Sequence, residues 1–388
     1  MIPVRGSWAA RREGLVVALV LTAAAIGFAV HARGIDGDWE FFVGISRRLF
    51  GPDGLAVYAD HTNIQTGPLT LIAVRGLDWL GSDAFPLAIV VLGLLTLWCV
   101  ARMRPERALR GALLLGGLTL LAWWPYLKTS GHLDDAMVLT LAAATVMLVL
   151  RDRRIAAAVV VGVALAVKPW SIFLLPITLR RVSLRSREAL VPLVSVVVGG
   201  ALWSPFVLTH PGALRGLSPT VWLAPDSVLR LFGGSAADLT STMRTVQLLL
   251  ALALATGAVA RDRTAGVLLV GIAARMALDG GTWNYYTVGF VLGALIWDLC
   301  GARTRLPWTT LAACVLLPPT WLASHAVQLR SILRLAACLC AVAVVFWPER
   351  PTRRADRALI DGRSESDAER NEFEEQSGVD RVEPALTI

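Results

Sequence analysis

The chain has 388 residues, 55% of them hydrophobic, and a formal net charge of +8, with a mean hydropathy of +0.61. That apolar share exceeds the roughly 45–50% of soluble domains, which excludes an ordinary water-soluble domain. The absence of strand-like alternation excludes an outer-membrane barrel.

Apolar runs of about 15–25 residues recur along the chain, the length that crosses a bilayer as helix. Helix is the only open-chain solution there, because each segment must satisfy its own backbone hydrogen bonds. The residues before position 348 include 30 basic and 18 acidic. No nucleic-acid-binding pattern accompanies this excess. Its place is the turns between spans, where short Arg-rich loops mark the cytoplasmic side.

In chain order, the run 14–30 follows Arg5, Arg11 and Arg12. It is expected to be an uncleaved first span with a cytoplasmic N-terminus, since no small-x-small cleavage site leads into a soluble domain. The basic turns 102–110, 151–154, 180–187, 261–263, 303–305 and 350–357 are then cytoplasmic. The apolar stretch 67–80 carries Arg75 and Asp78 and cannot cross without inverting the next turn, so it is expected to lie at the outer interface. It closes an external segment, 32–83, with seven acidic residues against four Arg.

Spans are expected at 84–101, 112–126 and 134–150. The run 155–179 holds Lys168-Pro169 at its middle. Proline removes a helical donor and clashes with the preceding turn, so the run is expected to break there into a re-entrant pair. Irregular backbone at that depth is tolerated only where it lines a protein cavity, which predicts a cavity opening outward. Further spans are expected at 189–208, 244–260, 264–278, 285–300, 308–323 and 332–347, giving about ten full crossings. Arg330 and Arg334 fall at an external end, against the charge rule. No internal repeat is evident. The tail 348–388, with 11 acidic residues and 7 Arg, is expected to be disordered and cytoplasmic. The transmembrane domain is 1–347.

The residues suited to chemistry gather in the external segments. Asp36, Asp38 and Glu40 follow the first span. A carboxylate at the rim of an apolar cavity serves as a general base near neutral pH; a solvated interfacial loop accounts for the three equally well. His61, Asn63 and Gln65 form a dense polar turn suited to hydroxyl recognition. His132 and Asp134 begin a span, where Asp134 and Asp135 also suit a helix N-terminus. Lys168 is an expensive charge at membrane depth, calling for a phosphate or a carboxylate such as Asp38. Arg275 and Asp279, four apart, suit either a mutual pair or bidentate phosphate binding by the arginine. Asp226, Arg230, Trp283 and Tyr285 lie in later external loops. No P-loop, zinc-protease or dinucleotide motif is present. Cys99, Cys300, Cys314, Cys338 and Cys340 lack metal-site spacing and read as small packing residues. No metal site is read.

Four patches, in this order and topology, resemble the GT-C class of polytopic glycosyltransferases, and most of all its polyprenyl-phosphate-mannose-using family 87. They are Asp38-Trp39-Glu40-Phe41-Phe42, Asn63-Ile64-Gln65-Thr66-Gly67-Pro68-Leu69, Val167-Lys168-Pro169 and Asp226-Ser227-Val228, where the family has Asn-x-Ser-Leu. The resemblance spans roughly residues 1–300. It implies an all-α GT-C fold in the plasma membrane and an inverting hexosyl transfer on the extracytoplasmic face. The donor is a polyprenyl-phosphate sugar, mannose on this resemblance, and the acceptor a cell-envelope glycolipid or glycan. Asp38, with Asp36 competing, is the implied general base. Lys168, with Arg230 or Arg275, is the implied partner of the donor phosphate. Glu40, His61, Asn63, Gln65, His132, Asp134, Asp226, Trp283 and Tyr285 are left for sugar and acceptor. No cofactor or divalent metal is required. Two other readings remain open: a lipid or sugar transporter or flippase, and a non-catalytic subunit of an envelope-building complex.

Overall fold

The computed structural model describes residues 19–27, 37–61, 63–103, 109–179, 190–217, 221–233, 238–239, 241–281, 283–317 and 325–347. The N-terminal arginines, Asp36, the basic turn 180–187 and the tail 348–388 lie outside the described residues.

Apart from a two-residue antiparallel ladder between Val221–Trp222 and Asp238–Leu239, regular structure among the described residues is helical. After a helix over residues 19–27 (α1), the longer elements are α2 (Gly37–Leu49), α4 (Pro68–Leu80), α5 (Ala84–Met103), α6 (Arg110–Trp123), α8 (Leu133–Leu150), α9 (Arg154–Val167), α10 (Leu190–Thr209), α12 (Ser241–Ala260), α13 (Val267–Ala277), α14 (Asn284–Ile296), α15 (Trp308–Leu316) and α16 (Val327–Phe346). Short helices α3 (Val57–Asp60), α7 (Pro125–Thr129) and α11 (Val228–Leu231) complete the set.

Among the described residues, six helical stretches are long and apolar enough to cross a membrane: 84–103, 133–150, 190–209, 241–260, 284–302 and 327–346. The protein is therefore an all-helical, membrane-embedded chain. Four of the ten expected crossings, 14–30, 112–126, 264–278 and 308–323, are not among these six. The run 112–126 forms α6 and continues into Pro125–Thr129, the run 264–278 forms a 3₁₀ turn followed by α13, and the run 308–323 forms α15, with 318–323 outside the described residues. Only residues 19–27 of the expected first span are described.

Burial separates the centre of the bundle from its rim. The windows in α14 and α8 are 83% and 72% buried, whereas that in α10 is 17% buried. On α10, Leu190, Leu193, Val196 and Val197 all point outward, an apolar face suited to lipid.

The stretch 67–80 forms α4, a 13-residue helix too short to span. Pro68 opens it, where a missing N–H costs nothing, and Gly81, at φ +106°, ends it. One face buries Thr70, Leu71 and Val74, while Ile72, Trp79 and Leu80 are exposed. This is the two-faced character expected of an interfacial helix.

The run 155–179 breaks where the Lys-Pro pair demands. A residue preceding proline is driven out of the helical region, and Lys168 adopts φ −154°, ψ 115°. A 3₁₀ segment, Pro169–Thr178, follows and packs against both α9 and α12.

That segment joins two helical hairpins, α8–α9 and α12–α13, which share a turn. Arg151-Asp152-Arg153 and Arg261-Asp262-Arg263 have the same backbone bonding. Asp152 N–H donates to Val149 and Arg153 N–H to Leu148; Asp262 N–H donates to Val259 and Arg263 N–H to Ala258. Both aspartates sit at φ 56°, the left-handed position of a Schellman helix end, which short polar side chains tolerate. The spacing is 110 residues. The two hairpins thus turn on the same Arg-Asp-Arg geometry.

Candidate functional site

Six helix ends meet at the end of the bundle remote from those turns. Residues near the starts of α8, α12, α14 and α16 and near the ends of α9 and α13 supply an interlocked charge cluster. From the Arg-Asp-Arg turn the 18 residues of α8 rise by roughly 27 Å, so the turn and the cluster lie at well separated ends of the hairpin.

Lys168 is the hub. Its Nζ lies 2.6 Å from Asp134 Oδ2 and 2.6 Å from Asp135 Oδ2, with all three residues buried. Both carboxylates sit in the first turn of α8, where the helix dipole favours negative charge. Asp135 also faces Arg275, at 3.6 Å from Nη1. The Arg275 guanidinium lies between two aromatic faces, 4.3 Å from the Trp170 ring centroid and 4.1 Å from that of Tyr286, and its Nε is 3.5 Å from Asp279 Oδ2.

His132 connects this interior to the surface. Its Nδ1 lies 3.2 Å from Asp134 Oδ1, and its Nε2 lies 3.1 Å from Asp38 Oδ2. The Asp38 side chain is 59% exposed. The Tyr285 ring covers the imidazole, at 3.9 Å between centroids. Burial by itself lowers the imidazole pKa; the acceptor carboxylates of Asp134 and Asp38 outweigh it and push His132 up to about 9. His132 is therefore a cation at neutral pH, held between an exposed carboxylate and two buried ones.

Two glycines make this assembly possible. Gly131 sits at φ +73°, and a Cβ there would fall 2.5 Å from the Trp39 backbone nitrogen. The start of α2 lies against the Gly131-His132 turn, with Trp39 stacked on Phe85 at 4.1 Å. At the other glycine, a Cβ on Gly67 would fall 2.1 Å from the Ala166 carbonyl oxygen. Breaking α9 at Lys168 leaves the Val167 carbonyl without its helical donor. Gly67 N–H at 2.7 Å, Thr66 Oγ1 at 3.2 Å and Thr70 Oγ1 at 2.9 Å supply that bond. Two of the four sequence patches therefore meet, the Gly-Pro turn capping the Lys-Pro break.

A crevice of about 10 Å³, room for roughly one water, lies beside the cluster, lined by Asp135, Leu139, Trp170, Ile272, Arg275, Tyr285, Tyr286 and Gly289. The buried Trp170 Nε1 has no hydrogen-bond acceptor among the described residues.

The second hairpin carries a matching pair with the signs exchanged. Asp134 starts α8, and Arg244, 110 residues later, starts α12; Lys168 follows α9, and Asp279 follows α13. Arg244 Nη1 lies 3.5 Å from Asp279 Oδ2. Gln247 donates to Asp279 at 3.3 Å and to the Arg275 carbonyl at 2.8 Å. Arg334 donates to the Gly281 carbonyl at 2.6 Å. Burial raises the Asp279 carboxyl, but Arg244, Arg275 and Arg334 more than offset it and hold it below the ordinary value.

Of the residues expected from sequence, the structure brings together Asp38, His132, Asp134, Lys168, Arg275 and Tyr285. Lys168 takes Asp134 and Asp135 as partners, and reaches Asp38 only through His132. Glu40, Asn63 and Gln65 are exposed; His61 is paired with Arg48, and Trp283 stacks on Tyr285 at 6.3 Å. Asp226 is buried and paired with Arg330, and Arg230 Nη2 donates to the Leu223 carbonyl at 3.0 Å. Their segment is structural support for the site: Ser227 Oγ donates to the Asp279 carbonyl at 2.7 Å. Asp135, Asp279, Arg244, Gln247, Arg334, Trp170 and Tyr286 were not among the expected site residues. The signals were the second acid of Asp134-Asp135, the i, i+4 spacing of Arg275 and Asp279, and the misplaced charge of Arg334.

His132, Asp134 and Asp135 each offer a ligand atom within 4.8 Å of the others, a spacing a divalent ion accepts. Lys168 Nζ already bridges both carboxylates, so the cluster is balanced by an internal cation. Comparisons with protein-family models, with curated proteins and with solved structures found no match to this chain.

Proposed function

We propose that the protein is a GT-C-type glycosyltransferase of the plasma membrane, with both termini cytoplasmic. It transfers a hexose, mannose on the resemblance above, from a polyprenyl-phosphate donor to an envelope glycolipid or glycan on the extracytoplasmic face. The observation that carries this reading is the contact between Asp38 and His132. It sets an exposed carboxylate at the edge of a buried, charge-balanced cluster, with an aromatic crevice beside it.

In the proposed reaction Asp38 accepts the proton of an acceptor hydroxyl. The freed oxygen forms a bond to the anomeric carbon, while the bond from that carbon to the phosphate oxygen breaks. Polyprenyl phosphate departs as an anion, and the configuration inverts. His132 holds the Asp38 carboxylate in place, as positioned general bases require. Asp134 and Asp135 in turn hold His132, and Lys168 balances them. Trp170, Tyr285 and Tyr286 line the crevice beside the cluster and pack against Arg275 and His132. The basic turns 151–154 and 261–263 lie at the other end of the hairpins, which supports placing that end in the cytoplasm.

The test is transfer of labelled mannose from polyprenyl-phosphate-mannose in proteoliposomes containing the purified full-length protein. The reading expects a labelled, alkali-stable glycolipid or glycan product that requires the protein. Donor moved across the bilayer without forming product would establish a transporter instead.

A further inference from the structure

Arg244, Arg275 and Arg334 surround a single carboxylate, Asp279, and all four side chains are buried. Arg275 is shared with Asp135 and enclosed by Trp170 and Tyr286. Arg244 and Arg334 are not enclosed in this way. Arg244 Nε and Nη2 and Arg334 Nε are buried and have no hydrogen-bond acceptor among the described residues.

Unmet buried donors are expensive, about 1–3 kcal/mol each and more when charged. The charge count has the same sense. Lys168, Arg244, Arg275 and Arg334 are set against Asp134, Asp135 and Asp279, one cation in excess, because His132 is balanced by Asp38. The excess lies at the Arg244–Arg334 end, where the Arg244–Asp279 contact is 3.5 Å while the equivalent pair in the first hairpin closes to 2.6 Å. The free end of α12 adds the positive pole of its dipole.

We infer that Arg244 and Arg334 form a binding site for the phosphate of a phosphate ester. A tetrahedral phosphate offers several acceptor oxygens and a charge of −1 to −2. Its oxygens diverge in more directions than those of a planar carboxylate, which suits guanidinium donors arriving from two different helices. Lys168 and Arg275 are less suited to this task, because their donors are committed to Asp134, Asp135 and Asp279. This inference deepens the proposed reaction: if sugar transfer occurs, the polyprenyl phosphate is held here, across Asp279 from the crevice. The anion site itself does not require that any transfer takes place.

The test uses the full-length protein in lipid nanodiscs, titrated with farnesyl phosphate, farnesol or inorganic phosphate, reading ligand-dependent thermal stabilisation and apparent affinity. Farnesyl phosphate is expected to stabilise the wild type and farnesol not to. Arg244→Gln and Arg334→Gln are expected to weaken farnesyl phosphate at least tenfold. Each removes a charge with unmet donors but also a bond, from Arg244 to Gln247 at 3.0 Å and from Arg334 to the Gly281 carbonyl at 2.6 Å, so affinity is read on the folded variants against their own ligand-free midpoints. Arg244→Lys, which keeps the charge but not the fork, should also fold and bind more weakly. Stabilisation by inorganic phosphate as well identifies a site for the free anion; stabilisation by farnesyl phosphate alone identifies a lipid headgroup.

Equal response to farnesol, or wild-type affinity in both Gln variants, overturns the inference. So does a lowered ligand-free midpoint in all three variants with an undiminished response in those that fold, which assigns the arginines a structural role. Phosphate binding lost in the variants while the wild type transfers no sugar leaves the anion site standing and removes the glycosyltransferase reading.

Discussion

His132 Nε2 lies 3.1 Å from Asp38 Oδ2, although the two residues are 94 positions apart and belong to different helices. Through this contact an exposed carboxylate on α2 communicates with Asp134, Asp135 and Lys168 inside the bundle. The following predictions depend on that connection and on the packing that enforces it.

The Asp38–His132–Asp134 contacts make a pH-dependent contribution to stability. The imidazole is raised in the folded protein from 6.5 to about 9. A group whose folded pKa is raised contributes fully below its unfolded value and loses that contribution as pH climbs through the folded one. The thermal midpoint of wild type should therefore exceed that of His132→Gln most at pH 6.5 and below, with the gap shrinking between pH 6.5 and 9. A gap constant over that window would show that His132 does not titrate there.

Lys168 neutralises two buried carboxylates. Removing one partner of a buried ionic group costs about 3–5 kcal/mol, because the other charge is left uncompensated. Lys168→Gln should lower the thermal midpoint strongly or prevent folding. Adding Asp135→Asn should recover a large part of the loss. Equal destabilisation by the single and double variants would argue against the pairing.

Gly67→Ala drives a methyl group into the Ala166 carbonyl and pulls the Thr66–Thr70 donors off the Val167 oxygen. A loss of about 1–3 kcal/mol is expected from the exposed carbonyl alone. Gly76→Ala in the same helix, where a Cβ meets nothing within 4 Å, should be neutral or stabilise by up to about 1 kcal/mol through helix propensity. Denaturation of both variants in detergent tests the contrast; similar behaviour of the two would contradict the close approach.

Much of this was legible in the sequence, and for physical reasons. Lys168-Pro169 announces its own break, because proline restricts the residue before it. The stretch 67–80 reads as a helix too short to span by its length and by Arg75 and Asp78, and it forms the 13 residues of α4. The apolar runs locate the six long helices to within a few residues, whereas the run 264–278 divides into a 3₁₀ turn and the 11 residues of α13, a tertiary outcome that hydropathy does not record. The paired hairpins were written in Arg151-Asp152-Arg153 and Arg261-Asp262-Arg263, but a three-residue match is lost among apolar runs that all look alike. The ion partners were harder still. Lys168 joining Asp134 across 34 positions and Arg334 reaching Gly281 across 53 are products of packing, and no local spacing specifies them.

The central claim is that Asp38 is the base of a sugar transfer, and the most direct measurement compares Asp38→Asn with wild type in the proteoliposome transfer assay. The carboxamide keeps the size of this exposed side chain and removes its proton affinity. A catalytic base contributes about 10²–10⁴-fold to rate, so transfer by the folded variant should fall at least about a hundredfold. Full transfer by Asp38→Asn would contradict the account.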